Sequence, residues 1–331
     1  MISHSVLHIL DFQSDLCVFS QEELSLENPE VAEFLEKHME RAAQDTRAQG
    51  GTFLEDSPLK EELLRLREGE VSFMDLAYSL AERLYEGLLR TDGAASTDLL
   101  IAQVEEGPGS ALVALLMNNR EAYVHQVIQE DGVVRSVIAR QAAVLPSASQ
   151  RPESFFRVDL GEMKLQFLDR RRTRGGEEVF LLRDEILCCS AGISPGKALK
   201  ETARVLEEVA QEHGENTAIV MSRARTYVRE NAESSPTLLP REMAREVFAG
   251  NEAMVAEFEQ RAEEQEVPWE IPVEPKTAVK TGKNHRIRTD TGIEITFPAE
   301  MAENPEFIEF IRDPDGTLSI SLRHIGRIIN R

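Results

Sequence analysis

Positive charge is scarce in this chain. Its 331 residues hold 37 Lys and Arg against 59 Asp and Glu, a formal net charge of −22. Such a surface repels nucleic acid and anionic lipid on average, so contact with either requires a local patch that overcomes the global field. Cysteine is scarce too, with only Cys17, Cys188 and Cys189. An odd count in a long chain does not make a disulfide framework. Adjacent Cys188 and Cys189 lack the two-residue spacing of a metal knuckle. All three are expected as small buried side chains in a reducing cytoplasm. No stretch approaches the roughly 18–20 uncharged apolar residues of a membrane span. The opening MISHSVLHILDFQSDL lacks a basic n-region and acids interrupt its apolar part, so no signal peptide is expected. There is no internal repeat and no low-complexity tract.

What is present is a globular composition, 41% hydrophobic and 29% charged. The length suggests two or three domains. Val6–Phe12 and Leu16–Phe19 read as a short hairpin. Asn28-Pro29 starts a helix whose buried face is Val31, Phe34, Leu35, His38 and Met39. Ser57-Pro58 starts a second helix. Ser72, with Asp75 three residues on, starts a third. Four β-rich runs follow at 98–106, 110–118, 122–130 and 133–141. They are separated by Pro108-Gly109, Asn118-Asn119 and Asp131-Gly132, and predict an antiparallel meander with helices on one face. The β pattern continues through FFRVDL, EMKLQFLDRRR and EEVFLLRDEIL. Beyond Ser194-Pro195 the pattern is helical, over 195–212, 216–232, PREMAREVF and NEAMVAEFEQRAEEQ. VPWEIPVEP reads as a stiff connector, and two hairpin patterns follow it. The fold class expected is α+β. Residues 1–190 form an antiparallel-sheet domain with helices, 191–266 a small helical domain, and 267–331 a C-terminal basic β-hairpin unit.

Catalytic signatures are weak. Asp290-Thr291-Gly292 is the aspartic-protease triplet, but no second copy exists in the chain, and Arg288 would keep the carboxylate ionised. A hairpin turn with Gly292 at positive φ is the better reading. No Gly-x-Ser-x-Gly occurs. The histidines His4, His8, His38, His125, His213, His285 and His324 show no ligand spacing. GISPGK lacks the full phosphate-loop spacing and has Ala198 where a hydroxyl should stand, so Ser194 reads as a helix cap. A helix-turn-helix over 236–265 would place an acidic helix against DNA. No catalytic residue, cofactor or metal is assigned, and an enzyme is not expected.

Two basic runs stand out. RRRTR supplies Arg170, Arg171, Arg172 and Arg174 at a strand end or hairpin tip. From Lys276 to Thr289 there are five Lys/Arg and one His and no acid: Lys276, Lys280, Lys283, His285, Arg286 and Arg288. The charge is uneven along the chain: residues 1–150 carry 11 Lys/Arg against 26 Asp/Glu, and residues 151–331 carry 26 against 33. A nucleic-acid face therefore belongs to the second half. Clustered cations neutralise phosphates and release counterions without reading sequence. No aromatics interleave them, so base stacking is not indicated. The bland alternative is that these cations pair with the protein's own carboxylates.

The order of the segments carries a resemblance. VLHILDFQSDLCVFSQEELSLENPEVAEFLEKHMERA, STDLLIAQVEEG with SALVALLMNNREAYVHQVI, and HRIRTDTGIEITFPAEM with IEFIRDPDGTLSISLRHIGRI resemble the bacterial nucleoid-associated family NdpA/YejK over nearly the full length. That resemblance implies a cytoplasmic, nucleoid location, double-stranded DNA binding and contact with type II topoisomerases. The expectation is a non-enzymatic homodimer that binds DNA weakly and without specificity through the two basic runs, away from membranes. The alternative is an acidic adaptor or DNA mimic docking on a DNA-processing enzyme such as a type II topoisomerase.

Overall fold

The computed structural model describes residues 1–12, 16–107, 109–130, 132–273, 284–298, 301, 304, 306–312 and 318–327, with Ala142, Asn284, His285, Arg312 and Leu318 described by their backbone alone. The chain packs into two units, Met1–Gly192 and Ile193–Arg331.

The first unit runs β1 (Ile2–Asp11), β2 (Leu16–Val18), α1 (Pro29–Ala43), β3 (Gln49–Phe53), α2 (Pro58–Arg67) and α3 (Phe73–Leu89). It continues with β4 (Thr97–Glu106), β5 (Gly109–Asn118), β6 (Arg120–Glu130), β7 (Val133–Val144), β8 (Ser154–Asp159) and β9 (Leu165–Leu168). It closes with β10 (Arg172–Arg174), β11 (Glu177–Val179), a π-helical segment Leu181–Leu187, and β12 (Cys189–Ala191). The helix starts follow the caps read from sequence. Asn28 accepts from the Glu30 N–H, Ser57 accepts from the Lys60 N–H, and Ser72 with Asp75 forms a reciprocal capping box.

Eight strands form one antiparallel sheet in the order β12-β3-β9-β8-β5-β4-β1-β2. Three features differ from the sequence expectation. First, the helices lie on both faces. Leu76, Leu80 and Leu84 of α3 pack with Leu99, Ile101 and Phe156, whereas Leu35 and Met39 of α1 pack with Leu100, Leu115 and Phe155. Strands buried on both faces read as continuous apolar runs, and β4 and β5 have that character in DLLIA and ALVALLM. Second, the described residues form no four-strand meander. β5 pairs with β8, while β6 and β7 leave the sheet and, among the described residues, pair only with each other. β8, SFFRVD, is buried over most of its length and so fills the place beside β5. Third, LLRDEIL is π-helical rather than extended. Leu181, Leu182, Ile186 and Leu187 are buried against α2 and α3, and Cys188 ends the segment in the left-handed region at φ 45.

The second unit holds α4 (Pro195–Glu212), α5 (Thr217–Ser234), β13 (Thr237–Leu238), α6 (Pro240–Val247), α7 (Glu252–Glu264) and β14 (Ile271–Pro272). The helices bury Val205, Leu206, Val228, Val247 and Phe258 in a common core. Val267, Ile271 and Val273, read from sequence as part of a connector, are buried in that core. Two hairpins follow: β15 (Asn284–Arg288) with β16 (Glu294–Pro298), and β17 (Ile308–Arg312) with β18 (Leu318–Leu322). Ile287, Ile295, Phe297, Ile308, Phe310 and Ile320 share a small apolar cluster between them.

Candidate nucleic-acid interface

The first basic run caps β9 and enters the β10–β11 hairpin, which turns at Gly175 and Gly176, both at positive φ. Its arginines are brought together, and each meets a carboxylate of its own unit. Arg170 Nη1 donates to Glu153 at 2.8 Å, and Arg171 Nη1 donates to Glu178 at 2.6 Å. Arg172 Nη1 donates to Asp169 at 3.1 Å, and Arg174 Nη2 lies 2.6 Å from Glu185. Asp169 is almost wholly buried and also accepts from the Arg183 N–H at 3.0 Å. Burial works against both charges of that pair, raising the Asp169 carboxyl and lowering the Arg172 guanidinium. The hairpin tip is held by an internal anion as well: the Gly175 and Gly176 N–H groups donate to the Asp92 carboxylate. A cleft of about 310 Å³ opens between residues 92–95 and Arg170–Thr173. Its cations are therefore already matched by Glu153, Glu178 and Asp169.

The second run falls in the second unit. Lys276, Lys280 and Lys283 lie outside the described residues. His285 pairs with Phe297 in the ladder, Arg286 with Thr296, and Arg288 with Glu294. Opposed residues of an antiparallel pair share a face, so Arg286 and Arg288 stand on the face away from the Ile287–Ile295 pair, which joins the apolar cluster. Both arginines are exposed. Arg286 reaches diagonally to Glu294 in an ion pair. Arg288 has no ion pair among the described residues. Asp290, Thr291 and Gly292 form the turn. Gly292 has φ 88, the Thr289 N–H donates to the Ile293 carbonyl, and the Asp290 carboxylate accepts from the Thr291 N–H. That is a hairpin tip open to solvent, unlike the buried, proton-sharing carboxyl of a protease.

β15 runs beside α5, and α5 carries cations that the run-based reading of the sequence missed. Arg223, Arg225 and Arg229 stand on it against Glu230 and Glu233. All three arginines are half-buried. Arg223 donates to the Val247 carbonyl at 3.4 Å, and Arg229 lies 3.5 Å from Glu230. The available signal was composition by helix, since α7 of the same unit holds Glu252, Glu257, Glu259, Glu263 and Glu264. The carboxylates of α7 meet Arg241, Arg261 and His213.

The other sequence candidates resolve into local structure. Ser194 caps α4 by accepting from the Lys197 N–H, as the capping reading of GISPGK expects. His8 is fully buried, with Nδ1 accepting from the Ser20 N–H, and His38 Nε2 meets the Pro146 carbonyl at 3.1 Å. Burial depresses the pKa of both, that of His8 to about 4. Among the described residues no group of His, Cys, Asp and Glu could hold a metal ion, and no helix is long and apolar enough to cross a membrane.

The sequence pattern of the family described as "Nucleoid-associated protein YejK" matches residues 6–329, nearly the whole chain. The chain belongs to that family. Membership locates it with the bacterial nucleoid, in the cytoplasm. Among curated proteins none matches the chain.

Proposed function

We propose that the protein binds duplex DNA weakly and without sequence specificity, as a homodimer and without catalysis, through the basic face of its second unit. One observation carries this reading. Arg288 is exposed at the tip of the β15–β16 hairpin with no ion pair among the described residues, and α5 with Arg223, Arg225 and Arg229 runs beside that strand. Lys276, Lys280, Lys283 and His285 belong to the same run and extend the patch in our reading. Arg170, Arg171, Arg172 and Arg174 contribute less, because their charges are matched by carboxylates that DNA would have to displace. We also propose three functional parts, 1–190, 191–266 and 267–331, with the third anchored through Val267, Ile271 and Val273 in the core of the second.

Fluorescence anisotropy with duplexes of unrelated sequence tests the patch. Arg286→Glu with Arg288→Glu should weaken binding equally for all duplexes and flatten the slope of log K against log salt, since each lost phosphate contact removes about one released counterion. Arg171→Glu should change both quantities less, because its charge is already paired with Glu178. Unchanged affinity in the Arg286/Arg288 variant would remove the patch from the proposal.

A second reading has its own observation. The arginines of the first-unit run are neutralised internally, while residues 1–150 carry 26 Asp/Glu against 11 Lys/Arg. An acidic adaptor or DNA mimic would use that surplus to dock on a basic face of a type II topoisomerase. Binding of the two purified proteins after nuclease treatment, lost as salt rises, supports it. Binding that requires added DNA counts against it.

A further inference from the structure

The β6–β7 hairpin stands apart from the rest of its unit. Its strands are 11 and 12 residues long, and they hydrogen-bond only to each other, so both outer edges have no strand partner among the described residues. The register places Tyr123 opposite Arg140, His125 opposite Ile138, Val127 opposite Ser136 and Gln129 opposite Val134. Directly opposed residues share a face. Tyr123, Val127, Val134 and Ile138 thus form one stripe, exposed at 72%, 65%, 63% and 80%. The opposite face carries the half-buried Val124, Ile128, Val137 and Ala139. A lone two-stranded hairpin is marginal in water, and a long apolar strand edge is a template for pairing with another chain.

We propose that this hairpin is a self-association arm, through which two copies of the chain join stripe against stripe about a two-fold axis. Charge selects the occupant. Residues 120–144 hold Arg120, Arg135 and Arg140 against Glu121, Glu130 and Asp131, a balance of zero in a chain of −22. DNA requires a surplus of cations, which the arm lacks. A basic protein partner would be steered to the acidic surface instead. Two copies of this chain repel each other elsewhere but not here, and a two-fold contact needs only that the patch complement itself. A ribbon of 11 residues at about 3.4 Å each and about 10 Å wide offers roughly 370 Å² on the face that meets the partner, below the ~800 Å² per partner of a standard interface. The stripe alone corresponds to a weak, concentration-dependent dimer.

This rests on the homodimer of the proposed function and locates it. Sedimentation velocity on the full chain over a concentration series gives the test. The wild type should shift from monomer to dimer with concentration, and Val127→Glu with Ile138→Glu should abolish the shift while leaving the circular dichroism spectrum and the urea midpoint unchanged. If that double variant fails to fold, Ile138→Cys under mild oxidation serves instead: a covalent dimer through residue 138, absent in the wild type, supports the arm, and its absence counts against it. A wild type that dimerises and a folded double variant that dimerises equally would overturn the arm while leaving the homodimer standing. A wild type that stays monomeric at every concentration would overturn both. DNA affinity is read separately with the Arg286/Arg288 variant, so the outcomes do not mix.

Discussion

His8 shows how one residue couples burial to pH. It has no exposed surface in β1, and its Nδ1 accepts from the Ser20 N–H at 3.1 Å, so the proton of the neutral ring sits on Nε2, which has no hydrogen-bond partner among the described residues. Burial lowers its pKa from 6.5 to about 4. In the unfolded chain the same ring takes up a proton below about 6.5. Between those values the unfolded state binds more protons, so stability is fully present above pH 6.5 and is lost as pH falls toward 4. Urea unfolding should show a decline of up to about 3 kcal/mol across that window. His38, also depressed by burial, adds in the same direction. His8→Leu should flatten the decline, and an unchanged slope would remove His8 as its source. Sequence periodicity placed His8 and His38 in apolar elements. The depth of their burial depended on Phe19, just past the neighbouring strand β2, and on the Pro146 carbonyl, 108 positions from His38.

At the scale of elements, helix starts were legible because a cap is local. Asn28, Ser57, Ser72 and Ser194 bond to backbone two or three residues away. Strand partnership was not legible in the same way. β3 is a short segment, Gln49–Phe53, whose Gly50-Gly51 reads as the end of a unit, yet it lies between β9 and β12. Gly51 is there for space: a Cβ would stand 2.8 Å from the Ser190 carbonyl oxygen and 3.0 Å from Phe167. Gly50, its neighbour, would meet nothing within 4 Å. Gly51→Ala should therefore destabilise the first unit by about 1–3 kcal/mol, as overpacking does, and Gly50→Ala should change stability by less than about 0.5 kcal/mol. Equal midpoints for the two in urea would refute the close approach. The π-helical segment was missed for a related reason. EEVFLLRDEIL has the apolar content of a strand, and the choice was made by its packing against α2 and α3 and by the Asp169 carboxylate accepting from the Arg183 N–H.

Across the whole molecule, the net charge of −22 has the widest reach. Self-repulsion of that size opposes the compact state and is screened over about 8–10 Å at physiological salt. The thermal midpoint should rise from low salt to about 0.15 M NaCl. A midpoint that falls instead would mean that the many Arg–Glu pairs outweigh the repulsion. The same field explains why the two basic runs part company. In the first unit, carboxylates at residues 153, 169, 178 and 185 lie close enough to match all four arginines. In the second, Glu294 meets Arg286 and leaves Arg288 unmatched among the described residues.

By itself, the sequence determined the α+β class, the caps, the hairpin at Asp290-Thr291-Gly292 and the family, because these rest on neighbours in the chain or on the order of long segments. The tertiary structure alone decided that helices cover both faces of the sheet, that β6 and β7 stand outside it, and that the arginines of RRRTR are already partnered. Each of those depends on which side chains and strands meet once the chain has folded, which no run of residues states by itself. The carboxylate of Glu153 and the guanidinium of Arg170 are 17 positions apart, yet their contact decides how much of that arginine's charge is free to meet a phosphate.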